Sequence, residues 1–260
     1  MRLQVLYVPG LAHKHAIRPD LAWNLSNLME MGGFAPLFPV FPVLPGPMRA
    51  TLDSGVYPRE HGVVGGPGPQ APAGEVQVLD ELDRAARELG PDHPEMPDRI
   101  KAMDRVIGER VERGRAEGLE TAVVSDSAVF AVAGSIPLDR ALPPGTWRAE
   151  EQICHVSGAP IRNVEAIRER EPGMTVLRSA RDKALYGVDH PNCGEWVLVA
   201  PHSKRFATPD RPAARGTRGR LPWELQDYGV LICGKPFAAP RRGYVLAVEA
   251  AGIVKELSAK

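Results

Sequence analysis

Cysteine is scarce in this chain: Cys154, Cys193 and Cys233 are the three in 260 residues, an odd number with no CxxC spacing. That composition excludes a disulfide framework, and a reducing cytoplasm is the expected setting. Long apolar runs are missing too. No segment approaches the roughly 18 apolar residues that a membrane helix requires. The opening "MRLQVLYVPGL" is too short an apolar run for a signal peptide and lacks a small-residue cleavage site. Excess charge is absent, because 32 Lys and Arg balance 32 Asp and Glu. No overall field therefore points to nucleic acid or an acidic membrane as a partner. Neither an internal repeat nor a dividing linker interrupts the chain, so residues 1–260 are expected to fold as one domain around one core.

Glycine and proline are plentiful, 26 of each, which implies many loops without reaching the level of a disordered chain. Between them lie the signals of alternating strands and helices. Leu3 to Val8 is a continuous apolar run stopped by Pro9–Gly10, the mark of a buried strand. Asp20 to Met31 has helical spacing (Leu21, Leu25, Leu28), with Asp20 as N-cap and Gly32–Gly33 as the stop. Phe34 to Val43 reads as a second strand, and the resulting βαβ unit predicts a parallel sheet. Glu75 to Leu89 and Pro97 to Glu117 carry amphipathic helical patterns, and Thr121 to Val124 is a β-branched strand leading into Ser125–Asp126. Beyond Gly134 the pattern turns irregular. A short helix at 161–170 and strands at 174–178, 196–200, 228–233 and 244–248 are expected, with a closing helix to Leu257.

The organising stretch is "FAPLFPVFPVLPGPMRATLDSGVYPREHGVVG", from Phe34 to Gly65. It reads as a strand, a Pro/Gly turn and a helix beginning near Pro47. Free backbone N–H groups at such a turn favour an anion. Pro42, Pro47, Thr51, Ser54, Gly55, Tyr57, Pro58, His61, Gly62 and Val63 fall without a gap on one pattern. That pattern resembles the nucleophile segment of the alkaline phosphatase superfamily, in its type I phosphodiesterase/nucleotide pyrophosphatase branch.

The resemblance implies an α/β fold: a three-layer α/β/α domain with a mainly parallel sheet, like an alkaline phosphatase core lacking its cap. It also implies a site in which a hydroxyl attacks phosphorus and about six Asp and His ligands hold two divalent cations. Counted against the family pattern, the nucleophile position is Pro45, which has no hydroxyl. The first metal ligand would fall at Pro9 or Tyr7, neither of them a carboxylate. The Asp-His pair before Gly90–Pro91 becomes Asp83 and Arg87. The "SDHG" ligands become Ser125–Asp126–Ser127–Ala128, and the last histidine aligns with Arg215. Two carboxylates survive of six ligands.

The reading that follows is a degenerate phosphodiesterase without catalytic residues, binding a phosphate-bearing small molecule, a protein partner or a second copy of itself. The candidate ligand residues are Gly46, Met48 and Arg49 at the turn, with Arg87 and Arg215 standing in for the lost cations. Asp83 and Asp126 are vestigial metal positions, and no cofactor is expected. The alternative is an active phosphoesterase holding Mg, Mn or Zn on Asp83 and Asp126, with water as nucleophile. A structural dimerisation module is the third reading. Other constellations carry less: His13, His15, His155, His190 and His202 are scattered near loops, and Cys154–His155 lacks an oxyanion-hole motif. The "GVVGGPG" loop lacks the Lys and Ser/Thr of a P-loop, and the basic segment Arg211 to Arg220 reads as a solvated loop.

Overall fold

A computed structural model describes residues 2–65, 76–207 and 214–259 of the chain. The loop read at Gly65–Gly74 lies outside the described residues beyond Gly65, as does the start of the basic segment, 211–213.

The apolar run at the N-terminus forms the strand Arg2–Tyr7. Its alternation is used on both faces: Leu6 joins one core cluster while Leu3, Val5 and Tyr7 join another. A strand buried on both faces requires helices above and below it. The helices Trp23–Met31, Glu81–Leu89 and Met96–Ala116 supply Leu25, Leu28, Leu82, Ile100, Met103 and Ile107 to the first cluster. The helices Pro45–Ser54 and Ala247–Ala259 supply Met48, Leu52 and Ala250 to the second. The result is the expected three-layer α/β arrangement.

The central sheet has six strands in the order Val245–Leu246, Gly33–Phe38, Gly229–Cys233, Leu119–Val124, Arg2–Tyr7, Val76–Val78. It is mixed and mainly parallel. Only Gly229–Cys233 runs against its neighbours. The first two strands in the chain are therefore not adjacent, as a simple βαβ unit would place them. Gly229–Cys233 and Leu119–Val124 lie between them. The carboxyl ends of the five parallel strands share one rim, where open α/β sheets hold their ligands.

Three expectations change. The pattern at 75–89 divides into an edge strand, Val76–Val78, and a helix starting at Glu81. Asp20 does not cap the helix Trp23–Met31. Instead Asp104, reaching across from the long helix, accepts from the backbone N–H groups of Asn24 at 2.9 Å and Leu25 at 3.0 Å. The stretch beyond Gly134 is ordered into an antiparallel sheet of four short strands, Trp147–Glu150, Ile153–Val156, Trp196–Val199 and Thr175–Leu177. One face packs on the helix Ile161–Arg170 through Cys154, Val156, Leu198, Val164 and Ile167, and the other packs Ile153, Val197 and Val199 on Phe41, Leu44 and Val64. No described helix is long and apolar enough to cross a membrane.

Candidate functional site

Four segments bring charge to one place on the rim. Asp126 sits two residues past the end of Leu119–Val124, and Asp83 lies in the first turn of the helix Glu81–Leu89. Glu151 occupies the tip of the hairpin between Trp147–Glu150 and Ile153–Val156, with φ +55, a left-handed conformation unusual outside glycine. Arg218 follows the two-residue strand Gly216–Thr217.

Arg218 is 1% exposed, and its side chain joins both aspartates. One guanidinium nitrogen lies 3.0 Å from Asp83 Oδ1, and the other lies 2.7 Å from Asp126 Oδ2. Arg87 completes the arrangement, 2.8 Å from Asp83 Oδ2 and 3.4 Å from Glu151 Oε1. Glu151 Oε2 accepts from Thr217 Oγ1 at 3.1 Å. Asp126 also accepts from the Tyr7 hydroxyl at 2.8 Å and from the N–H groups of Gly10 at 3.1 Å and Ser127 at 2.8 Å.

Two glycines permit this crowding. Gly10 turns with φ +80, and a Cβ there would meet the Asp83 backbone at 3.1 Å. A Cβ on Gly216 would lie 2.3 Å from the Ala86 carbonyl oxygen, so only glycine lets Arg218's strand approach the Asp83 helix.

Burial alone would lower Arg218's proton affinity, but Asp126 and Asp83 outweigh it and hold the guanidinium protonated more firmly than usual. Burial raises the Asp83 carboxyl, against the pull of Arg218 and Arg87. It also drives the Tyr7 hydroxyl well up, with the Asp126 charge adding to the effect. Tyr7 is thus a fixed donor at any physiological pH.

The structure brings Asp83, Arg87 and Asp126 together as a single constellation. Arg215 is exposed on the outside, and the guanidinium that enters the cleft comes from Arg218, three residues later. The turn at Gly46–Met48 is buried, at the start of the helix Pro45–Ser54. Pro45 and Pro47 have no N–H, and the Met48 N–H bonds to the Leu44 carbonyl at 3.1 Å. Of those four positions only Gly46 and Met48 carry an N–H. Arg49 is half-buried, with its Nε unpartnered.

Sequence reasoning missed Arg218, Glu151 and the Tyr7 hydroxyl. The signal for Arg218 was present, since a basic residue stood near the position of the last histidine, but the chosen register fell three residues short.

The scattered histidines stay apart. His13 stacks on Phe34, His155 bonds the Val64 carbonyl at 3.0 Å, and His202 meets the Phe130 ring edge-on. Thr51 Oγ1 lies 3.0 Å from His61 Nε2, while Ser54 Oγ donates to its own helix at Ala50. Among the described residues no three His, Cys, Asp or Glu side chains gather closely enough to hold a metal ion.

A mixed, mainly parallel sheet between helical layers, with its charged cluster beyond the strand ends, defines an α/β protein with a rim site. The sequence profile of the type I phosphodiesterase/nucleotide pyrophosphatase family matches residues 8–66 and 76–214, and the chain belongs to that family. No curated protein matches it by sequence. Among solved structures, human ectonucleotide pyrophosphatase/phosphodiesterase 5 superposes with a TM-score of 0.78 at 11% identity, covering 99% of this chain and 95% of that one. The murine protein gives 0.78 at 12% identity, covering 100% and 95%. An inactive variant of that murine protein in complex with AMP gives 0.77 at 11% identity, covering 100% of this chain and 95% of that one.

Proposed function

We propose that this chain is a catalytically silent phosphodiesterase-family protein that acts by binding, with a phosphate-bearing small molecule as its ligand. The observation that carries the reading is the buried Arg218 guanidinium joined to both Asp83 and Asp126. Coordination by two cations requires free carboxylate oxygens and imidazole nitrogens. A guanidinium only donates hydrogen bonds and does not deprotonate, so neither Arg218 nor Arg87 can ligate a metal. The residues present therefore do not fit the family's cations, and no step is routed through them. Pro45, at the first position of its helix, offers no attacking oxygen.

Charge matching bears on where a ligand sits. Asp83, Asp126 and Glu151 outnumber Arg87 and Arg218, whose guanidinium groups are engaged by those carboxylates. The old cleft thus has no spare positive charge for a phosphate. A structural relative was solved with AMP, which makes a nucleotide the first ligand to test.

The test is hydrolysis of an aryl phosphodiester and of a nucleotide pyrophosphate by the purified protein, with Mg²⁺, Mn²⁺ or Zn²⁺ added, alongside metal analysis. The expected result is no turnover above that of Asp126→Ala. Metal-dependent turnover abolished by Asp126→Ala would establish the alternative, an active enzyme using Asp83 and Asp126. Absence of both turnover and ligand binding, with stable self-association, would leave a dimerisation module.

A further inference from the structure

Three histidines, spaced along one seam, share a hydrogen-bonding pattern. The seam joins residues 57–65, which include the short helix Pro58–His61, to residues 178–194. The latter form a strap between the adjacent strands Thr175–Leu177 and Trp196–Val199. His61 Nδ1 accepts from the Val63 N–H at 3.1 Å, and His190 Nδ1 from the Asn192 N–H at 3.1 Å. His155 Nδ1 accepts from the Gly194 N–H at 3.4 Å. An imidazole that accepts at Nδ1 carries its proton on Nε2. His61 Nε2 lies 3.0 Å from Thr51 Oγ1, and His155 Nε2 lies 3.0 Å from the Val64 carbonyl. His190 lies across Gly62, where a Cβ would come within 2.9 Å of its Nε2. All three rings are therefore neutral. A second proton enters only at Nδ1, the atom that already faces a backbone N–H, and sets donor against donor.

The strap is lightly held. Its helix Ala180–Leu185 buries none of its residues, and Val188 packs it onto Phe41 and Val64. Two further ties cross the seam: the Arg59 N–H donates to the Gly187 carbonyl at 2.8 Å, and Asn192 Nδ2 to the Gly62 carbonyl at 2.7 Å. The same two segments wall a cleft of about 310 Å³, with Tyr57 and Arg59 from one and Leu185 and Tyr186 from the other.

The charges around the rings differ along the seam. His155 faces Arg148 on the adjoining strand and Lys183 on the strap helix. Burial, with these charges adding to it, pushes its imidazole down to about 4. Glu150 approaches Gly65 beside it. Burial also lowers His61, with Glu60 working against the effect and His190 with it. Asp189 adjoins His190 in the chain, and burial keeps the nearby Cys193 a neutral thiol.

We propose that His61, His155 and His190 make the strap an acid-sensitive clasp, closed on residues 57–65 at neutral pH and opened, with the cleft beside it, in mild acid. The clasp does not depend on which molecule the protein binds, nor on whether it is catalytically silent.

Hydrogen–deuterium exchange of the full chain at about pH 7.5 and about pH 5.5, corrected for the pH dependence of exchange itself, tests it. A histidine that titrates near 6.5 when the strap is open and lower when it is closed raises the opening equilibrium about tenfold over that interval. Protection at 57–65 and 178–194 should therefore fall by about tenfold or more, while the helix Met96–Ala116 keeps its own. His190→Asn retains an acceptor for the N–H two residues on but does not titrate, so its strap should stay closed in acid. Glu60→Gln, at an exposed position, removes the charge that favours protonation of His61 and should move the opening to lower pH. An acid response of wild-type size in both variants overturns the clasp, even where His190→Asn is less protected at both pH values. Unchanged protection of the wild-type strap at about pH 5.5 overturns it as well. So does an equal loss across Met96–Ala116, which would make the event global unfolding.

Discussion

Arg218 Nη2 lies 2.7 Å from Asp126 Oδ2, and both side chains are sealed from solvent. The pair joins a loop late in the chain to the end of a central strand. Its removal exposes how the carboxylates are tolerated. Arg218→Met should destabilise the protein by about 3–5 kcal/mol, because it strands two buried charges at once. The double variant Arg218→Met/Asp126→Asn should recover part of that loss. Urea unfolding of the three proteins decides the matter, and equal stability of the single variant and wild type would show that the pair carries no charge balance.

Restoring the hydroxyl should not restore chemistry. Pro45→Thr places an oxygen at the family's nucleophile position, but the carboxylates that would hold cations remain bound to Arg218. No turnover of an aryl phosphodiester is expected with any of the divalent metals. A measurable metal-dependent rate in Pro45→Thr would mean that the cleft is open.

His155 should make the protein acid-sensitive. Burial pushes its imidazole down to about 4, with Arg148 adding to the effect, and its Nε2 contacts the Val64 carbonyl. The unfolded chain takes up the proton near pH 6.5, before the folded one does. Stability from this group is therefore complete above about pH 6.5 and lost as the pH falls towards 4, to an extent on the order of 2–3 kcal/mol. His15, also pushed down to about 4 by burial, acts in the same direction. Unfolding free energy measured from pH 7 to 4 should fall, and His155→Gln should flatten the slope.

Asp104, and not Asp20, should matter to the helix Trp23–Met31. Asp104→Ala removes the acceptor for the Asn24 and Leu25 N–H groups and should cost about 2 kcal/mol. Asp20 is exposed and, among the described residues, paired with its near neighbour Arg18, so Asp20→Ala should change stability by less than about 0.5 kcal/mol. Chemical denaturation of both variants checks the ranking.

Much of the fold was legible because long apolar or periodic segments override local noise. Leu3 to Val8, the long helix at 97–117 and the strand at 121–124 emerge within a residue or two of where the pattern put them. Asp83, Arg87 and Asp126 were legible through fixed spacings to Gly90 and Ser125. What stayed hidden depends on tertiary contact. Val76–Val78 is too short for alternation to show, and it is a strand only because Arg2–Tyr7 offers an edge. Asp104 lies mid-helix, where no local rule marks it as another helix's cap. Arg218 sits among Gly and Arg in a stretch whose composition suits a solvated loop, and only the converging aspartates show that it is buried.

The reversed strand Gly229–Cys233 has a bearing on how the chain is made. It fills the middle of the sheet, yet it emerges from the ribosome about a hundred residues after Leu119–Val124, the later of the two strands that it joins. Until then Gly33–Phe38 has no partner linking it to Leu119–Val124, and the nascent protein carries two open sheet edges. Arrival of that strand, rather than growth from the N-terminus, is the event that zips this sheet shut.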